Sequence, residues 1–252
     1  MHLSKFDDGG LVDAEKLLKI IYESCDLLLV NKQAGLVCHP TKGDLYSSLI
    51  GRLRLYLGFE ANVHMINRLD RETSGLVVVA KHRRAAVGLR KLWEAHKVLK
   101  QYLAIAHGWP EEEHVVISVP LARDQASILS IKDCVRPDGA AAHTEFFVKK
   151  RFRRSGKEFS LLKVVPTTGR KHQIRIHLAH CGHPIVGDKL YGGDENLYLS
   201  FVQRRLTSEQ RARLILPCHA LHAQEVRISW RERKLTFEAE PEEWFTEFHR
   251  VS

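Results

Sequence analysis

The chain has 252 residues, 44% hydrophobic and 27% charged, with 39 Lys and Arg against 30 Asp and Glu for a formal charge of +9. That size allows one large domain or two small ones and a core that needs no staples, and the balance excludes a disordered or fibrous chain. The longest apolar runs, Leu27–Val30 and Leu76–Ala80, are too short to span a bilayer, and Met1–Gly10 has no apolar stretch of a signal peptide, so a cytoplasmic protein is expected.

In chain order, short runs rich in β-branched residues predict strands. They lie at Ile20–Glu23, Leu27–Asn31, Leu76–Lys81, Tyr102–Ala106, Val115–Val119, Thr144–Phe152, Phe159–Val165, Val226–Trp230 and Leu235–Ala239. Helical spacing predicts helices over Leu45–Leu57 and Arg83–Leu99. A third runs from Lys171 to Cys181, with Gly182 as its C-cap and Pro184 forbidding continuation, and a short terminal one follows Pro241. Segment Asn196–Arg213 reads as irregular, an insertion or surface excursion. Strands outnumber helices without a strict β-α-β rhythm, which predicts an α+β fold around a mixed, mainly antiparallel sheet with flanking helices. No linker marks a domain boundary.

The positive charge favours a polyanionic partner, with a merely basic protein as the equal alternative. The five cysteines are scattered and form no C-x-x-C pair, so they read as inert thiols in a reducing compartment. Chemistry concentrates in HMINRLDRETSGLVVVAK, from His64 to Lys81. There Asp70 stands close to Arg68 and Arg71, and neighbouring guanidiniums favour the charged carboxylate. Such a group can serve as nucleophile or base beside a phosphate-binding surface. A lone Arg-Leu-Asp triplet is more often a solvated ion pair.

The longer string R-L-D-R-x-T-S-G-L, followed by an apolar strand, resembles the catalytic motif of the RluA-type pseudouridine synthases. Ile20–Gly35 resembles that family's first motif, Leu99–Gly108 its Lys-x-Tyr segment and Asp138–Phe146 the strand before its long hairpin. Pro166–Gly192 resembles its third motif, and Leu221–Ile228 its closing strand. The resemblance implies isomerisation of uridine in ribosomal or transfer RNA to pseudouridine, without metal or organic cofactor, by a catalytic domain over residues 20–252 behind a short extension, 1–19. It places the essential aspartate at Asp70, the tyrosine that packs on the target base at Tyr102, and the arginine that pairs with the aspartate at Arg175 in preference to Arg170.

The chemistry accounts for these residue types. The target uracil must leave its stack, and an aromatic ring offsets part of that cost. Asp70 must be unprotonated, either to attack C1′ of the ribose or to take the C2′ proton, and an arginine keeps it charged in a dry pocket. Tyr102 is also a candidate for removing the C5 proton. Arg68, which in the family contacts RNA or fills the space of the flipped base, joins Arg71, Arg170 and His172 as candidate RNA contacts. Gln33 and Asn67 stand where the family commonly has Pro and His, and the second change bears on local RNA contacts.

About 20 residues precede the first motif, with no room for an S4-like domain, so RNA selection is expected from the catalytic domain itself. A monomer is the default. Two rivals remain at this stage. One is metal-dependent hydrolysis around His172, His177, His180, Cys181 and His183, where His177 and His180 have ligand spacing but no acid lies between His172 and His183 to act as base. The other is a non-catalytic RNA-binding or folding protein on the same fold, against which the presence of Asp70, Tyr102 and Arg175 argues.

Overall fold

The computed structural model describes residues 17–40 and 47–250, together with the backbone of 3–5 and 11–13. In chain order the strands are β1 (Leu3–Lys5), β2 (Leu11–Asp13), β3 (Lys19–Glu23), β4 (Leu27–Lys32), β5 (His64–Met65), β6 (Ser74–Ala80) and β7 (Val98–His107). Then come β8 (His114–Ile117), β9 (Leu121–Arg123), β10 (Asp133–Val135), β11 (Thr144–Arg154), β12 (Lys157–Pro166), β13 (Leu221–Trp230) and β14 (Arg233–Glu238). The helices are α1 (Leu49–Leu57), α2 (Arg83–Glu94), α3 (Gln173–His180), α4 (Asn196–Val202), α5 (Ser208–Leu214) and α6 (Glu243–His249). The chain thus has an α+β fold, and every ladder whose register is described runs antiparallel.

Two compact units share the chain: 1–99 with 223–241, and 100–222 with 242–252. No linker marks the first break because it falls inside β7, a continuous strand.

In the first unit the strand order is β3-β4-β6-β13, with β5 on β6 and β14 on β13. Both β4 and β6 are buried along their whole length, which is why LLLVNK and SGLVVVA read as unbroken runs rather than alternations. Helix α2 lays Ala85, Ala86 and Leu89 against this core, where they join Leu27, Leu29, Val78 and Val226. The predicted helix over Arg83–Leu99 is shorter than expected. His96 takes a left-handed conformation, φ 54°, after which Val98 and Leu99 belong to β7. The first four residues predicted for the helix at Leu45–Leu57 straddle the edge of the described residues, and the helix itself begins at Leu49 behind Ser48, whose hydroxyl caps Gly51 N–H.

Gly75, at the start of β6, has φ 112°, and a Cβ there would lie 2.5 Å from the backbone nitrogen and 2.7 Å from the carbonyl carbon of Ala223. Neither space nor backbone tolerates a side chain, so Gly75→Ala should cost roughly 2–4 kcal/mol from overpacking and strain together. For a chain of this length that lowers the thermal midpoint by roughly 5–15 °C. A midpoint unchanged in a melting scan would contradict the close approach of the two strands.

In the second unit the order is β7-β12-β11-β8, with β9 and β10 forming a separate hairpin. The β11–β12 hairpin closes on Ser155 (φ 50°) and Gly156 (φ 74°), two left-handed residues as a tight hairpin turn requires. The core joins Phe146, Phe159, Leu162 and Ile105 to Ile174 and Leu178 of α3 and to Phe245 and Phe248 of α6. Part of the basic run Lys149–Arg154 is used here: Lys150 donates to His249 O at 3.0 Å and Arg154 to the carbonyls of Glu247 and Phe248 at 3.0 Å each. These cations satisfy the orphan acceptors at the end of α6.

Segment 196–213, expected to be irregular, forms α4 and most of α5. The second starts at a capping box in which Thr207 and Gln210 exchange hydrogen bonds with each other's backbone N–H. The T-x-x-Q spacing was visible in the sequence and outweighs the weak apolar periodicity that masked it.

Candidate active site

Asp70 lies half-buried where the chain turns into β6, and the turn is held by backbone rather than by side-chain packing alone. Lys32, 1% exposed, points its ammonium at three carbonyls: Gln33 O at 3.0 Å, Leu36 O at 2.8 Å and Arg71 O at 3.1 Å. Arg71 is clasped further, its carbonyl accepting from Gly35 N–H at 2.8 Å while its own Nε donates to Gly35 O at 3.1 Å. On the other side of Asp70, Leu69 N–H and C=O meet the Cys38 thiol at 3.5 and 3.4 Å. The aspartate therefore sits between two fastened neighbours, which is the preorganisation a catalytic carboxylate needs. Sequence reasoning assigned no role to Lys32, although its place at the end of an all-buried strand marked it. Gln33 lends only its carbonyl, so replacing the usual proline costs nothing visible at this turn.

Asn67 corrects an expectation. Its side chain turns inward, Nδ2 donating to Leu76 O at 3.1 Å and Oδ1 accepting from Val78 N–H at 2.8 Å. The amide thus extends the β5–β6 pairing by imitating a strand backbone. Its departure from histidine bears on the seating of β6, because both polar atoms are spent there. Arg68 is exposed and has no hydrogen bond or ion pair among the described residues.

In the second unit Tyr102 sits on β7 opposite Val164 of β12, half-buried against the core that holds Phe146 and Leu162. Two residues earlier, and so on the same face of the strand, Lys100 donates to Thr168 O at 3.1 Å. Burial pushes its ammonium below the ordinary lysine value. The sequence showed the Lys-x-Tyr spacing without a use for the lysine.

Helix α3 carries Arg175, and its carboxylate partner in this unit is Asp188, a residue the sequence reading did not single out. Nε and Nη2 of Arg175 grip Oδ2 and Oδ1 of Asp188 at 2.7 and 2.8 Å, a bidentate pair with both side chains buried. Leu190 and Tyr191 N–H add bonds to Oδ1 at 2.9 and 3.0 Å, and the guanidinium lies 5.0 Å over the Tyr191 ring. Burial alone pushes the Asp188 carboxyl up; the charge and hydrogen bonds of Arg175, with His219 and Tyr191 N–H, overcome that and hold it well below the usual carboxylate range. The clue was there to read, since Asp188 is the single acid between Lys171 and Gly193.

A polar network seats the N-terminal half of α3. His177 Nε2 faces Val119 O at 3.2 Å, and its Nδ1 faces Thr144 Oγ1 at 2.9 Å. Thr144 Oγ1 accepts from Gln173 Nε2 at 2.9 Å, which also donates to His143 O at 2.9 Å. Gln173 Oε1 accepts from Thr168 Oγ1 at 2.7 Å and from Arg170 N–H at 2.9 Å. Burial lowers the His177 pKa and keeps the ring neutral. Both its nitrogens are thus occupied, which removes it from the His177–His180 ligand pair, and among the described residues no three His, Cys, Asp or Glu side chains are grouped to hold a metal. Arg170 donates from Nε to Ala141 O at 3.1 Å, and His172, in a left-handed conformation at the helix start, bonds through Nδ1 to Tyr191 Oη at 2.9 Å. Among the described residues no helix is long and apolar enough to cross a membrane.

Comparison with known proteins places these residues in context. The sequence model described as RNA pseudouridylate synthase matches residues 26–180. Ribosomal large subunit pseudouridine synthase C of Buchnera aphidicola is 36% identical over 181 residues, 71% of this chain and 55% of that protein. Ribosomal large subunit pseudouridine synthase D of Haemophilus ducreyi is 36% identical over 179 residues, 70% of this chain and 53% of that protein. The chain thus spans about half the length of these curated relatives. Among solved structures, human RNA pseudouridylate synthase domain containing 1 superposes with a TM-score of 0.71 at 26% identity, covering 88% of this chain and 83% of that one.

Proposed function

The chain belongs to the RNA pseudouridylate synthase family, in its RluA-type branch, and from that premise we propose that it isomerises uridine in RNA to pseudouridine, with Asp70 as the essential residue. The observation that carries this is the fastened turn around Asp70, which lies inside the matched segment and holds a carboxylate in place through its neighbours' backbones. Residues 20–252 are read as the catalytic part, and 1–19 as an extension.

In this reading the carboxylate of Asp70 either bonds to C1′ or removes the C2′ proton, releasing uracil from its N-glycosidic bond. The base turns, bonds to the ribose through C5, and gives up the C5 proton. Tyr102 stacks on the extruded base. Arg175 is held for its role by Asp188, and Arg68 reaches RNA from an exposed position. The names of the relatives support large-subunit ribosomal RNA as the first substrate to offer, with transfer RNA second. The reading takes the protein to be a cytoplasmic monomer that uses no metal.

The test is tritium release from transcribed RNA labelled at C5 of uridine, offered as large-subunit ribosomal and as transfer RNA. Release from either supports isomerisation; none from both, with RNA still bound, would favour a binding protein on the same fold. Tyr102→Phe keeps the stacking face and should retain RNA affinity within a few-fold. If its turnover also stays near wild type, the ring acts by stacking. A complete loss of RNA binding would contradict that role.

A further inference from the structure

Of the basic run that follows β6, the first two residues are spent on structure. Lys81 pairs with Glu23 at 2.6 Å. His82 caps α2 through Nδ1 to Ala85 N–H and bonds through Nε2 to Asp26 at 2.9 Å. The next two are not. Arg83 and Arg84 are exposed, as are Arg90 and Lys91 two turns further along the same helix, and none of the four side chains has a hydrogen bond or ion pair among the described residues. Several exposed arginines of the chain are by contrast paired: Arg153 with Glu158, Arg227 with Glu225, Arg231 with Asp26.

Position sets these cations apart. Arg83 and Arg84 are the first two residues of a 12-residue helix whose first turn holds no acid, and Glu94 is its last residue. Cations at a helix start and an anion at its end both oppose the macrodipole. Lys91, in the last turn, is favourably placed, but the arginine pair at the start weakens α2, so folding does not explain that pair. The helix is nonetheless a rigid carrier, capped by His82 and packed through Ala85, Ala86 and Leu89. Its cations come as two adjacent pairs seven residues apart, about 10 Å along the axis. That is wider than the gap between neighbouring phosphates, so the two pairs engage separate phosphates of one strand. Guanidiniums match phosphate oxygens in geometry as well as charge.

We propose that the outer face of α2, presenting Arg83, Arg84, Arg90 and Lys91, is a binding surface for the phosphate backbone of the RNA substrate, contributing affinity without base specificity. The proposal rests on the RNA-modifying function given above and names a surface that function leaves unassigned. Backbone contacts position a nucleic acid and carry no sequence information.

The experiment compares wild type with the quadruple variant Arg83→Gln, Arg84→Gln, Arg90→Gln, Lys91→Gln. Binding is read on transcribed large-subunit ribosomal RNA across a salt series, and tritium release on the same RNA. The variant should bind about tenfold or more weakly at low salt, and the slope of log affinity against log salt should fall by roughly 0.7–0.9 for each phosphate it no longer neutralises. Its KM should rise while kcat at saturating RNA stays unchanged, and its thermal midpoint should stay within a few degrees of wild type, since unfavourable cations at the helix start and a favourable one in its last turn are removed together. Wild-type affinity and salt slope in a folded variant would overturn the proposal, and so would a fall in kcat with KM unchanged. A wild type that shows the slope difference but releases no tritium would sink the isomerase reading and leave this surface standing.

Discussion

Asp70→Ala should fold, bind RNA within a few-fold of wild type and release no tritium, a fall of about 10⁴-fold or more, the scale on which single nucleophiles are lost in other enzymes. The separation of folding from turnover follows from how the turn is held. Lys32 reaches Arg71 O, Gly35 N–H reaches the same carbonyl, and Cys38 Sγ meets the backbone of Leu69. None of these bonds uses the Asp70 side chain, so truncation leaves them intact. Asp70→Asn, which preserves size and loses charge, should behave alike. Residual turnover within tenfold of wild type in either variant would remove Asp70 from the mechanism.

The second large effect is on stability. Asp188→Ala should cost about 3–5 kcal/mol, the range for breaking a buried ion pair from one side, because the Arg175 guanidinium stays behind in a site built for two charges. At this chain length the thermal midpoint falls by roughly 6–20 °C. Asp188→Asn keeps an acceptor for Arg175 and should lose less. The sign with pH follows from the depressed carboxyl. A group whose folded pKa lies below its unfolded value, about 3.9 for aspartate, contributes fully above that unfolded value and loses its contribution as pH falls beneath it. Wild type should therefore keep the Asp188 contribution throughout the neutral and mildly acid range and shed it only in strong acid. The Asp188→Ala variant should lack this acid limb of the stability curve. A wild-type melting point for that variant at pH 7 would show the pair to be energetically idle.

Fold class and most elements were legible because periodicity reports burial. Strands β4 and β6 are buried on both faces and read as continuous apolar runs, and α3 announced itself by Gly182 and Pro184. What stayed hidden depends on partners distant in sequence. The end of α2 at His96 is a backbone choice that helical spacing runs straight through. Asp188 becomes meaningful only when folding brings it to Arg175, thirteen residues away. Lys32 looked like part of a motif, yet its use is to hold a loop 39 residues on. Asn67 read as a change in local RNA contacts and is a piece of sheet.

The polar network under α3 can be counted in arrangements rather than in bonds. A carbonyl can only accept, so Val119 fixes the proton of His177 on Nε2. That makes Nδ1 an acceptor, which turns the Thr144 hydroxyl toward it and leaves its oxygen to receive Gln173 Nε2. Gln173 is then oriented, and its oxygen fixes the hydroxyl of Thr168, which in turn receives His143 N–H at 2.9 Å. One carbonyl at one end thereby dictates the orientation of four side chains, each with a single permitted state. The helix that presents Arg175 rests on a support with almost no configurational entropy left to lose when a substrate arrives.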